Sequence, residues 1–444
     1  MHAASWEFKE GTKRMTKMRL EVREYPVGDI EFGSKTCLDG TRLVVNLADL
    51  ETLAKQETAL AGIEVAIARP GEAVRIIHVL DAVEGICKVE GPSTVYPGFL
   101  GPPITAGRGI TNKLTGMLIM STTEFLQPMP GGLAFREGVI DMMGPGQPYC
   151  QASHVINLVI RYLPAMGVSN QELDDAVRRT TLQIARFLAS TTRGLSPAES
   201  HVWELSPVSA ELPRIAYIDQ IMSQTLMTQT FLYGKDLEDT LPTFIHPNEL
   251  IDGAIVTGNY KNSQKVATYL HCAKPTMMEL YRRHGVDLNF AGMVINQGHR
   301  DNQMLKQRGA EYSAKLALLA GAQGAVVTFE GGGNATMDFM LTVKACEQLG
   351  IRTVASMYEH AEVGSGEFPI VYHVPEADAL VSVGAQGEIF TAPKVDRLLG
   401  GSPRLVLYSG GIIEDATQSF QATSTDYWGM EWQLGESGFR AREY

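Results

Sequence analysis

The 444 residues contain no C-x-x-C, no H-x-x-x-H and no H-E-x-x-H. The five cysteines (Cys37, Cys87, Cys150, Cys272 and Cys346) are odd in number and widely spaced. That argues against a disulfide framework and a structural zinc site, so no metal is expected and the thiols read as small buried hydrophobes. No apolar run approaches eighteen residues, which excludes a transmembrane helix of ordinary length. Residues 1–19 mix Lys and Arg with Glu around no apolar stretch, so no signal peptide is expected. Positive charge is also in short supply. Lys and Arg number 38 against 50 Asp and Glu, a net charge of −12 that repels phosphate backbones, so no nucleic-acid partner is expected. Neither G-x-G-x-x-G nor G-x-x-x-x-G-K-[ST] occurs, so no nucleotide is expected either. These absences together predict a cytoplasmic protein without a membrane contact.

What is present suits large buried cores: 44% of residues are apolar and 20% charged. The pattern predicts a mixed α/β chain with a β-rich N-terminal domain, a helical connector and a C-terminal doubly wound parallel-sheet domain. Residues 1–17 read as an extension. Over 18–165, short β-type runs (19–24, 42–46, 74–79, 115–121) alternate with Gly/Pro turns. Ser169-Asn170-Gln171-Glu172 fits a capping box and opens a helix that ends near Gly194. A second helical pattern over 215–233 completes the connector, assigned to 166–245.

From 246 to 410 strands and helices alternate. Strands are expected at 253–257, 290–295, 324–329, 352–357 and 379–383, with helices at 275–284, 302–320 and 335–349. Such alternation implies a parallel sheet, with ligands bound outside the carboxyl ends of its strands. The tail over 411–444 is polar and aromatic and reads as an arm packed on a neighbour.

Three loops would share that edge. Glu330-Gly331-Gly332-Gly333-Asn334 joins a strand to a helix, where bare amides can face a small carboxylate. The alternative is a tight turn with nothing bound. Asn296-Gln297-Gly298-His299-Arg300 follows the preceding strand, and His299 is a candidate for holding or titrating a substrate. Tyr358-Glu359-His360 follows the next one. A fourth segment, Ile255 through Gly258-Asn259-Tyr260-Lys261-Asn262-Ser263-Gln264-Lys265, is a strand ending in a polar loop, in which Asn259 and Asn262 can form side-chain turns.

Several motifs resemble one family in particular. They are Lys88-Val89-Glu90-Gly91-Pro92, Ile140-Asp141-Met142, Gly144-Pro145-Gly146, Thr240-Leu241-Pro242-Thr243, Pro247-Asn248-Glu249, Asp252-Gly253-Ala254-Ile255-Val256 and Gly258-Asn259-Tyr260. The chain resembles the component B α/β proprotein of the glycine, sarcosine and betaine reductases, and its relative in D-proline reductase, over all but residues 1–17 and the tail.

The resemblance implies a substrate-binding subunit for a small amine or amino-acid-like substrate. Its partner is a component B subunit carrying a selenocysteine or reactive cysteine, and electrons come from a thioredoxin-type reductant. Glycine and proline reductase members are cut at a cysteine after the G-N-Y motif, which becomes a pyruvoyl group. That ketone forms a Schiff base with the substrate amine, and the partner's selenol or thiol then attacks the α-carbon.

Here the sequence departs. Asn262-Ser263 falls where the cysteine would, in a loop that differs by one residue in length. Serine can undergo the same acyl shift and elimination, so Ser263 is the candidate pyruvoyl precursor, with Asn262 and Asn259 beside it. Cys272 lies further on, beyond a strand-like 267–270. The other reading is an uncut, non-catalytic structural or ligand-binding paralogue that has lost the group. A betaine-type substrate has no amine proton to lose and would need no Schiff base. Glu330, Gly331, Gly333, Asn334 and His299 are the expected substrate-binding residues.

Overall fold

The computed structural model describes residues 18–125, 138–224, 229–238, 240–258, 265–362, 370–386, 388–407 and 410–427. The fold is mixed α/β. Its N-terminal half contains β1 (Arg19–Pro26), β2 (Leu60–Ala68), β3 (Val79–Val83), β4 (Ile86–Glu90), β5 (Gly109–Thr115), β6 (Met117–Thr122) and β7 (Ile156–Pro164). Helix α1 (Asn170–Ser190) and strand β8 (Glu199–Glu204) follow. Two four-stranded sheets result, in the orders β8-β1-β5-β4 and β2-β7-β6-β3. Helix α1 starts at the expected capping box, since Ser169 Oγ accepts from Glu172 N while the Glu172 carboxylate accepts from Ser169 N. Its apolar stripe (Leu173, Val177, Ile184, Leu188) closes a core with Ile86, Leu114 and Ile119.

The segment read as a second connector helix is instead β9 (Arg214–Met222), an inner strand. Ile215, Ile218 and Ile221 recur every third residue and imitate a helical stripe, but a strand buried on both faces is apolar throughout and carries no period of its own. Residues 166–245 are therefore no helical connector. Besides α1, β8 and β9 they contribute β10 (Thr230–Leu232) and β11 (Thr243–Ile245).

Beyond 246 come β12 (Ile255–Thr257), α2 (Thr268–Cys272), α3 (Pro275–Arg283), β13 (Asn289–Gly298), α4 (Gln303–Leu319), β14 (Gly324–Phe329), α5 (Asn334–Gln348), β15 (Arg352–Glu362) and β16 (Leu380–Gln386). The main sheet has the order β11-β13-β9-β14-β15-β16, with β11 antiparallel and the other five strands parallel. Numbered along the chain, those five run 2-1-3-4-5. The order reverses between β9 and β14, the switch point at whose carboxyl ends sheets of this kind form a ligand crevice. Helices α4 and α5 cover one face through Ala314, Phe339 and Val343 on Ala216, Ile218 and Val327. The other face packs Tyr217, Ile221 and Met293 against Met277 and Leu280 of α3 and Leu20 of β1, so the N-terminal sheets and the parallel sheet share one core.

Two further expectations change. Strand β12 pairs with β10 in a small antiparallel sheet and is not part of the parallel one. The strand-like 267–270 is the start of helix α2, and Cys272 at its end is buried, with its thiol pushed well above the ordinary value by desolvation.

The tail, as far as it is described, packs on its own chain. Tyr427 is buried and donates to Asp141 Oδ2 at 2.5 Å. Asp141 is held bidentately by the equally buried Arg75, at 2.6 and 3.0 Å, while Arg75 also donates to the carbonyls of Pro393 and Ala416. Residues 428–444 lie outside the described residues. Because Asp141 neutralises a fully buried guanidinium, Asp141→Ala leaves an uncompensated charge. The expected cost is about 3–5 kcal/mol, read as a lower urea midpoint, whereas Asp39→Ala on the surface should shift it by under about 0.5 kcal/mol.

Candidate active site

The crevice between β9 and β14 gathers a group of buried charges. Glu330, the first residue after β14, accepts from the amide of Met222 at the end of β9 (3.1 Å). Its carboxylate lies 3.7 Å from Lys265 Nζ and 3.2 Å from His271 Nε2. The Lys265 ammonium donates to Met222 O at 2.8 Å and to Thr230 Oγ1 at 2.5 Å. Lys274, just before α3, pairs with Asp219 of β9, which also accepts from Thr328 Oγ1 at 3.0 Å. Glu330 and Asp219 are all but inaccessible, and Lys265, His271 and Lys274 are completely so.

Burial alone would raise the Glu330 carboxyl, but Lys265, His271 and Lys274 outweigh it and hold it down at about 2. Burial pulls the Lys265 ammonium down to about 8, against the attraction of Glu330. Burial and Lys274 lower His271 to about 4, so its ring is neutral at physiological pH.

A second anchor comes from the N-terminal half. Asp81 on β3 accepts from Thr268 N (3.0 Å) and Thr268 Oγ1 (2.5 Å), and Thr268 Oγ1 accepts in turn from Thr257 N (3.0 Å). Gly258 N donates to Gln229 O at 2.9 Å. Desolvation pushes Asp81 up to about 7. The described residues on either side of 259–264 are thus tied to different parts of the fold: Thr257 to a sheet of the N-terminal half and Lys265 to the parallel sheet.

Asn259, Asn262 and Ser263 lie outside the described residues. Glu330, Gly331, Gly333, Asn334 and His299 do come together, at the carboxyl ends of β13 and β14. Glu330 is engaged with Lys265 and His271, and the other four residues form the rim. His299 has φ +63°, a left-handed backbone that costs energy for any residue but glycine. Its carbonyl accepts from Gln224 Nε2 at 3.1 Å. Desolvation and Lys306 keep its imidazole below the ordinary histidine value. Gly331 has φ +84°, and a Cβ there would meet Ala335, His299 and Met222, each at 3.3 Å. Asn334 Nδ2 donates to Arg300 O (3.2 Å), which ties the His299–Arg300 turn to the start of α5. Tyr358, on β15, stacks on Phe329.

Sequence reasoning passed over Asp81, Asp219, Lys265, His271 and Lys274. A signal existed for two of them. Asp81 interrupts the apolar run Val79-Leu80-Ala82-Val83, and Lys265 precedes Val266-Ala267; a lone charge in apolar text implies a buried partner.

Glu330 is a carboxylate whose folded value lies below its unfolded one. Its stabilising contribution is therefore complete above about 4.5 and lost as pH falls through about 2. The stability difference between wild type and Glu330→Gln should be roughly 3 kcal/mol at neutral pH and narrow below pH 4.5. Urea melts of both proteins across that range would reveal it, and a pH-independent difference would contradict the ionic role.

Comparison with known proteins matches residues 18–438 to the family of glycine/sarcosine/betaine reductase component B subunits. The chain is 34% identical over 392 residues to the glycine reductase complex component B subunits alpha and beta of Acetoanaerobium sticklandii, covering 86% of this chain and 89% of that protein. It is also 34% identical over 392 residues to the sarcosine reductase complex component B subunit alpha of Peptoclostridium acidaminophilum, with the same coverage. With the betaine reductase complex component B subunit alpha of that organism it shares 31% over 401 residues, 86% of this chain and 88% of the relative. No solved structure matches.

Proposed function

The chain belongs to the glycine/sarcosine/betaine reductase component B family, and on that premise we propose that it is the substrate-binding subunit of such a complex. It would act in the reductive cleavage of a C–N, or related C–X, bond α to a carbonyl. Membership makes the chain an oxidoreductase-type component of a multi-component assembly. The finer reading is supported chiefly by the described residues that flank 259–264: Thr257 is tied through Thr268 to Asp81, and Lys265 is tied to Met222 at the carboxyl edge of the parallel sheet.

The attacking selenol or thiol belongs to a partner subunit. Among this chain's own thiols, Cys87, Cys150, Cys272 and Cys346 are buried, and desolvation raises all four, Cys150 and Cys346 to about 12. Such thiols are poor nucleophiles. In the reaction the partner's selenol or thiol bonds to the α-carbon as the amine leaves with the C–N electron pair. A thioredoxin-type dithiol then supplies the two electrons and two protons that cleave this new C–Se or C–S bond, releasing the α-carbon as a C–H product and restoring the selenol or thiol while the dithiol becomes a disulfide. His299 is the candidate for meeting the substrate's polar end, because its Nδ1 is buried and has no hydrogen-bond partner among the described residues. Gly331, Gly333 and Asn334 shape the wall beside it, at the positive end of α5.

A pyruvoyl group at Ser263 would supply an electrophilic ketone to a primary or secondary amine. Ser263 lies outside the described residues; Lys265, two positions on, donates to Met222 O, and His299 Nδ1 is buried with no hydrogen-bond partner among the described residues. A cut at 262/263 would not separate the halves. Strand β9 would remain between β13 and β14, both from beyond the cut, and Lys265 would remain bonded to Met222. The two glycine reductase relatives are named for subunits alpha and beta together, and the sarcosine and betaine relatives for subunit alpha alone.

Intact mass under denaturing conditions, with and without borohydride, tests the pyruvoyl assignment. Two fragments meeting at 262/263, the second gaining reducible hydrogens, would establish it, and gel filtration of the native protein should still give one species. A single borohydride-inert species near 48.5 kDa would leave substrates that need no Schiff base, or the non-catalytic paralogue. Turnover of glycine, sarcosine or betaine with the partner subunit then decides between those two.

A further inference from the structure

Thr240-Leu241-Pro242-Thr243 leads into β11, the antiparallel edge strand of the main sheet. Pro242 and Ile245 are buried there, but Leu241 is 44% and Phe244 39% exposed. Met304, in the first turn of α4, is 77% exposed, and α4 packs along β11. Large apolar side chains grouped in water mark an interaction surface.

This stretch of surface is held firmly. Thr240 N and Oγ1 both donate to Leu237 O (3.1 and 2.8 Å), and Leu237 belongs to the core between the sheets. The Thr240 carbonyl accepts from Arg300 Nη2 at 2.8 Å. Arg300 is buried, and the same nitrogen donates to Asn296 Oδ1 at 3.2 Å. Its guanidinium passes so close to α4 that a Cβ on Gly309 would lie 2.9 Å from Nε. At its other end, the Arg300 carbonyl accepts from Asn334 Nδ2 of the rim. One residue thus joins the exposed motif to the rim. Burying a guanidinium is costly unless its donors are engaged, and here one is spent on a surface turn.

We propose that Leu241, Phe244 and Met304 form the surface on which the thiol- or selenol-bearing partner subunit docks, with Arg300 holding that surface in register with the rim. The assignment of the occupant rests on the reading under Proposed function, in which the attacking atom is the partner's. A subunit that brings an atom to the rim must grip the surface beside it, and this patch is tied to that rim through Arg300. A second copy of the chain suits the patch less well. Two copies with a net charge of −12 repel each other. Strand β11 is three residues long and follows Pro242, which has no N–H to donate, so it offers little edge for extending the sheet.

The test uses the full chain and the purified thiol- or selenol-bearing component B subunit, with binding followed by titration calorimetry and sedimentation velocity. Leu241→Asp and Met304→Asp should each weaken the complex about 30-fold or more, as loss of an interface anchor does. Neither should lower the melting temperature of the free chain. Leu319→Asp, at the other end of α4 and 76% exposed, should bind as wild type does. Amide exchange at 241–245 should slow when the partner subunit is added.

Wild-type affinity in both Asp variants overturns the proposal. So does a wild-type chain that fails to bind the partner subunit, or one that instead dimerises through Leu241. A complex that both variants break, yet that reduces none of glycine, sarcosine and betaine, counts against the reductase reading and leaves the docking surface standing.

Discussion

An ammonium and a carboxylate buried together at the ends of two adjacent parallel strands are the constraint on which the site is built. Desolvating such a pair costs several kcal/mol per ion, and the interior returns that only when geometry is good and the remaining donors and acceptors are satisfied. Lys265 and Glu330 meet part of that condition through Met222, which offers its carbonyl to one and its amide to the other, while Glu330 Oε1 has no hydrogen-bond partner among the described residues. One residue at the end of β9 thus serves both ions. Since β9 is paired on both sides over most of its length, Met222 has little freedom to move, and that rigidity passes to the loops on either side of the crevice.

The same strand unites the two halves of the chain. β9 precedes segment 259–264 in sequence, yet it lies between strands that follow it. Its outer face shares a core with β1, while Asp81 of β3 reaches the opposite flank of the segment through Thr268. The described residues on either side of 259–264 are consequently tied to different sheets, Thr257 to that of Asp81 and Lys265 to that of Met222.

Much of the C-terminal half was legible because each strand there stands alone between turns and a helix with its own cap or stripe. Gly324–Phe329 ends in glycines, and the helix beginning at Gln303 is capped by Asn302. β9 was not legible, because its three isoleucines satisfy the helical spacing as well as the strand and only the sheet around them decides. The rim residues His299, Gly331 and Asn334 could be grouped from topology, since strand ends of a parallel sheet face one way. The buried charges could not: Asp81 and Thr268 are 187 positions apart, and no local pattern pairs residues at that distance. The contact of Tyr427 was hidden for the same reason, as it looks like a loose aromatic until Arg75 and Asp141 are in place.

Charge at the crevice is balanced in pairs. Lys265 offsets Glu330, Lys274 offsets Asp219, and His271 is held neutral by burial and by Lys274. The two ion pairs therefore carry strong fixed dipoles whose charges cancel. Glycine, sarcosine and betaine are each zwitterions with no net charge, so long-range attraction would do little to select among them in such a crevice. What separates the three is the bulk and the remaining protons on nitrogen, features that only close contacts can read.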